Sequence, residues 1–94
     1  MSDGCVFNVE AGDVDVTLHV WGPGGAPFGW GYYKHNEFKI TPGTQYTETE
    51  TPRNIQLVVN GKWYELKEVN YKYKYISIDK GGAVQITHRK WEHL

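Results

Sequence analysis

Apolar and polar residues alternate along much of this chain. Val14, Val16, Leu18 and Val20 are separated by Asp15, Thr17 and His19, the period of a strand with one buried face. Ile55 to Val59 is a second apolar strand, and it runs into Asn60-Gly61. That dipeptide suits a type I′ turn, whose two central residues both need positive φ. Lys62 to Val69 is then expected to return as the partner strand. Tyr71 to Ile78 alternates again, with Tyr71, Tyr73, Tyr75 and Ser77 on one side and Lys72, Lys74, Ile76 and Ile78 on the other. Asp79-Lys80-Gly81-Gly82 reads as a turn before a last strand over Ala83 to Arg89.

Weaker strand signals fall at Cys5–Val9, Gly29–His35, Phe38–Ile40 and Thr44–Thr49, separated by glycine- and proline-bearing breaks. No window carries a helical stripe. About eight short strands joined by short turns predict an all-β fold, a single antiparallel β-sandwich spanning 1–94. A length of 94 residues suits one domain with one modest core.

The stretch from Val20 to Tyr33, V-W-G-P-G-G-A-P-F-G-W-G-Y-Y, departs from the alternation. Five of its fourteen residues are glycine, two are proline and five are aromatic. Trp21 ends the strand on the side opposite Val16, Leu18 and Val20, and Gly22-Pro23 is expected to stop it. Phe28, Trp30 and Tyr32 then alternate with Gly29, Gly31 and Tyr33. Glycine opposite each ring leaves room for a close approach. The pattern predicts a loop at one end of the sandwich that offers Trp21, Phe28, Trp30 and Tyr32 to a ligand.

Net charge is −1 overall, with −5 in residues 1–50 and +4 in residues 51–94. That balance argues against a dedicated nucleic-acid binder. The run Tyr71-Lys72-Tyr73-Lys74-Tyr75 could still meet anionic headgroups, and Lys72 and Lys74 are its candidate contacts. The single Cys5 excludes an internal disulfide and CxxC metal sites. It reads as a small half-buried hydrophobe in an edge strand. Glu48 and Glu50 share a strand face and read as solvated. His35 and Glu37 could share a face near a turn, but two ligands do not make a metal site. No phosphate loop, nucleophile elbow or zinc-protease motif occurs. The chain is therefore expected to be no enzyme and to carry no cofactor or metal. The start lacks a signal-peptide pattern, so synthesis in the cytoplasm is expected, with action on target cells from outside left open.

The order Val14-Asp-Val-Thr-Leu-His-Val-Trp-Gly22, a flexible loop, a Phe-bearing strand, a Pro42-Gly43 bend, Leu57-Val-Val-Asn-Gly61 and a Tyr-rich strand into Ser77-Ile-Asp79 resembles the aegerolysin-like group of small β-sandwich proteins. It is most similar to their very small bacterial insecticidal members. The resemblance covers about residues 8–87, and among the group's lipid-contact positions it carries over Trp21. It implies a toxin-like protein that binds a membrane lipid or cell-surface receptor, in some members with a larger pore-forming partner. The residues alone leave open a lectin-like carbohydrate-binding module and a protein-binding sandwich. The aromatic strands also leave room for a homodimer.

Overall fold

The computed structural model describes residues 4–23, 32–49 and 53–89, with backbone alone at 23 and 32–35. Eight strands and one helical turn follow each other: β1 Cys5–Val9, β2 Val16–Pro23, β3 Tyr32–Ile40, β4 Gln45–Glu48, β5 Asn54–Val59, β6 Lys62–Leu66, α1 Val69–Lys72, β7 Tyr73–Ile78 and β8 Val84–His88. They form two four-stranded sheets, ordered β4-β1-β7-β8 and β3-β2-β5-β6. The expected all-β sandwich of about eight short strands is what the chain forms. Pairing is antiparallel except between β1 and β7, which run parallel. The chain between those two builds the entire second sheet, so the long crossover that a parallel pair needs is supplied.

Alternation decides which side chains enter the core. Cys5, Phe7 and Val9 of β1 and Ile76 and Ile78 of β7 meet Val16, Leu18 and Val20 of β2 and Ile55, Leu57 and Val59 of β5. Branched residues at every second place suit a pleated surface buried on one side. Phe38 of β3 meets Tyr46 of β4 edge-to-face at 4.7 Å, which closes one open side of the sandwich. Tyr64 and Val84 pack at the margin of the core from β6 and β8.

The Asn60-Gly61 turn forms as expected, with φ of 49° and 85°. At the second expected turn, Asp79 Oδ1 accepts from the backbone N–H of Gly81 and Ala83 at 2.8 and 2.9 Å.

Four expectations are corrected. First, β2 does not stop at Trp21 but pairs with β3 as far as Pro23 opposite Tyr32. Its pairing with β5 ends at Trp21, so Pro23 lies where β2 has a single neighbour and a missing N–H is tolerated. Second, the two short strands expected around Gly29–His35 and Phe38–Ile40 are one strand over its described length. A register shift between Val20 and Trp21 absorbs the extra residue of β3, which is the usual effect of a bulge.

Third, β6 ends at Leu66, and Val69–Lys72 is a helical turn. Asn54 Oδ1 accepts from the Glu68 N–H at 2.9 Å, and the Arg53 carbonyl accepts from the Val69 N–H at 2.9 Å. These contacts let Glu68 sit at φ 51° and press Val69 and Asn70 into the core end. The alternating Tyr-Lys run is therefore split. Tyr71 and Lys72 belong to α1, while a register shift between Tyr73 and Tyr75 breaks the expected faces, and Tyr73 packs against the core. Fourth, β1 is an inner strand between β4 and β7, so Cys5 is fully buried rather than half-buried at an edge.

Candidate functional site

Since Val16, Leu18 and Val20 point inward, Thr17, His19 and Trp21 stand on the outer face of the second sheet. The register then fixes their neighbours. His19 lies opposite Glu37 on β3 and Gln56 on β5, and Gln56 lies opposite Glu65 on β6. Glu37, His19, Gln56 and Glu65 thus form one polar row across all four strands, with a carboxylate at each end.

An indole flanks this row on either side. Trp21, opposite Asn54, donates its indole N–H to Gln56 Oε1 at 2.9 Å. Gln56 Nε2 in turn donates to Glu65 Oε2 at 2.9 Å. Trp63 comes from β6 and stacks on the His19 ring, with centroids 5.0 Å apart and planes 21° from parallel. His19 Nδ1 is 3.4 Å from Glu37 Oε1. Trp63 is still 54% exposed, because the His19 ring covers only one of its faces. Trp21, Asn54, Gln56 and Glu65 together line an open pocket of about 230 Å³.

This pocket lies toward one end of the sandwich. Asn54 ties it to the start of α1 through Glu68. The backbone N–H of Arg89 donates to the Lys72 carbonyl at 2.9 Å, and the Arg89 side chain donates to the Gly4 carbonyl. Trp21, Asn54, the helical turn with Lys72, Gly4 and Arg89 therefore lie at the same end of the sandwich.

Of the six candidate residues, Trp21 lies on the outer face as expected. Lys72 ends α1, and Lys74 is exposed on β7 of the other sheet. Tyr32 pairs with Pro23 at the start of β3. Phe28, Trp30 and the side chain of Tyr32 lie outside the described residues. The His35 side chain lies outside the described residues, and Glu37 lies opposite His19 on β2. Sequence reasoning missed Gln56, Glu65 and Trp63. The available signal was the polar Gln56 inside an Ile-Leu-Val strand and a tryptophan two residues after the hairpin turn.

Glu48 is not solvated. It lies opposite Cys5 and is 2% exposed, with the Tyr46 hydroxyl donating to its Oε1 at 2.8 Å. Burial pushes the Cys5 thiol up to about 12, with nearby Arg89 pulling it down and Glu48 adding to the rise. Glu50 lies outside the described residues. Among the described residues, no group of three or more His, Cys, Asp or Glu side chains is placed to hold a metal.

The fold and this face define a small two-sheet β-sandwich with an aromatic and polar outer surface on one sheet. No protein-family model, curated protein or solved structure matches the chain.

Proposed function

We propose that this protein is a non-enzymatic, toxin-like binding protein that docks on a target-cell surface, at a membrane lipid or surface receptor, through the end of the sandwich marked by Trp21. One observation carries the reading. Trp21 is an outward indole held in one orientation by Gln56, and it directly precedes a segment that adds Phe28 and Trp30 in sequence. Aromatic side chains with one polar edge suit a boundary between apolar and wet surroundings. Lys72 at the same end and Lys74 nearby on β7 add attraction to anionic headgroups, about 1 kcal/mol each near a membrane surface.

Co-sedimentation with neutral, anionic and sphingolipid-rich vesicles, alongside binding to whole cells, tests the reading. Wild type is expected to pellet with at least one surface, and Trp21→Ala combined with Trp30→Ala is expected to abolish this while the β-sheet circular dichroism is kept. Wild-type binding by the double variant overturns the site. Binding lost at high salt assigns it to the lysines, because exposed charges are screened within about 8–10 Å.

A further inference from the structure

We propose that the pocket lined by Trp21, Asn54, Gln56 and Glu65 binds one sugar residue, and that the ligand continues as an oligosaccharide across Glu65 onto Trp63. This deepens, and rests on, the reading that the protein docks on cell surfaces. It names the surface determinant as a glycan.

At about 230 Å³ the pocket is smaller than the roughly 300–1,000 Å³ of sites for drug-sized ligands, and it suits a single ring.

The polar groups of the pocket stand in a fixed pattern. An indole N–H can only donate, and a carboxylate can only accept. The bonds from Trp21 to Gln56 and from Gln56 to Glu65 therefore hold the amide in one orientation. Asn54 is likewise set by its bond from Glu68 through Oδ1. Asn54 Nδ2 and Glu65 Oε1 remain as a donor and an acceptor at the pocket. A pair of neighbouring hydroxyls, each able to donate and accept, answers that arrangement. Pre-set partners also lower the cost of ordering on binding.

Glu65 and Glu37 close the polar row at its two ends, so a phosphate or sulfate group is repelled from it. A sugar hydroxyl donates to a carboxylate at no such cost. A quaternary ammonium would meet the aromatic surface and the Glu65 carboxylate but leave the Asn54 donor unanswered, since it carries no acceptor.

Trp63 extends the surface beyond the pocket. It lies two residues before Glu65 on β6, about 7 Å away along the strand, with one ring face on His19 and much of the remainder open. An indole held flat by a second ring is a ready platform for the apolar face of a sugar.

The test titrates the full chain with methyl hexosides and the matching disaccharides, read by saturation-transfer NMR and tryptophan fluorescence. A printed glycan array, choline chloride, phosphatidylcholine vesicles and glycolipid vesicles are run in parallel. At least one disaccharide is expected to bind fivefold or more tightly than its monosaccharide. Glu65→Gln should weaken both tenfold or more, while Trp63→Ala, at an exposed position, should erase the disaccharide advantage and spare the monosaccharide. Binding to glycolipid vesicles assigns the sugar to a lipid, and binding on the array alone assigns it to a protein-linked glycan. Sugar binding untouched by both variants overturns the pocket, and displacement by choline chloride overturns the ligand class. If vesicles or cells bind and no sugar does, the glycan proposal falls while surface docking stands. If sugars bind and no cell or vesicle does, the pocket stands and the surface reading falls.

Discussion

Trp21 and Gln56 fix each other's orientation. The indole N–H donates to Gln56 Oε1 at 2.9 Å, and since tryptophan has no acceptor to offer, the amide oxygen must face it. The amide nitrogen is thereby turned to Glu65, where it donates at 2.9 Å. The bonds run one way, from β2 through β5 to β6, and cross-strand side-chain contacts of this kind stabilise a sheet as well as shape its surface.

Replacing Gln56 by Met keeps the length of the side chain and removes both bonds. The half-buried indole N–H then has to find water. A loss of about 1–2 kcal/mol is expected, measured by urea unfolding, together with a shift in tryptophan emission as the Trp21 indole leaves its partner. Unchanged stability and emission would show that the chain of bonds is not held in solution.

Much of this sheet was legible from the residues, and the reason is local. Alternation in Val14–Val20 and Ile55–Val59 places side chains in or out without knowledge of any partner. The Asn60-Gly61 turn is likewise encoded in two adjacent residues. The outward position of Trp21 follows from the same alternation. Its companions do not, because Gln56, Glu65 and Trp63 become neighbours only once three strands are in register. The burial of Glu48 was hidden for the same cause, since its direction depends on pairing with Cys5. The helical turn at Val69–Lys72 is too short to display a 3.6-residue period, and it depends on contacts from Arg53 and Asn54, which precede it by a whole hairpin.

Two glycines at positive φ separate backbone strain from crowding. Gly61 has φ 85°, and a Cβ there would meet nothing within 4 Å. Gly82 has φ 94°, and a Cβ would lie 2.8 Å from Asn60 Nδ2. That amide is anchored, since Asn60 Oδ1 accepts from the Asp15 N–H at 2.9 Å. Gly61→Ala should cost about 1 kcal/mol from the left-handed backbone alone. Gly82→Ala should cost about 1–2 kcal/mol more, because it also disturbs a hydrogen bond. Thermal unfolding of the two variants side by side gives the difference, and equal costs would mean that the Asn60 side chain yields freely.

Tyr46 offers a cleaner subtraction. Its ring packs against Phe38 and Phe7, while its hydroxyl donates to the buried Glu48 carboxyl. Tyr46→Phe retains the ring contacts and deletes only the hydroxyl. Removing one partner from a buried polar group costs about 1–3 kcal/mol, and a loss in that range is expected by urea unfolding at pH 7. A smaller loss would assign the holding of Glu48 to its other contacts.

Cys5 makes stability depend on alkaline pH. Its thiol is fully buried and is pushed up to about 12 in the fold, against an ordinary value of 9.0. Between those values the unfolded chain has lost the thiol proton and the folded chain has kept it, so folding is opposed more strongly as pH rises. The thiol's contribution is complete below pH 9 and lost progressively toward pH 12. At about 1.4 kcal/mol for each pH unit, the loss from this group is about 1.4 kcal/mol at pH 10. Tyrosines and lysines titrate in the same range, so the comparison is with Cys5→Ala, which retains them. The stability of wild type relative to this variant should be constant from pH 7 to 8.5 and shrink above pH 9. The same burial makes the native thiol slow toward iodoacetamide at pH 8, since the thiolate is the nucleophile, and rapid once the chain is unfolded in urea. Parallel pH profiles for the two chains, or prompt labelling of the native protein, would mean that the start of β1 opens often enough for Cys5 to titrate in water.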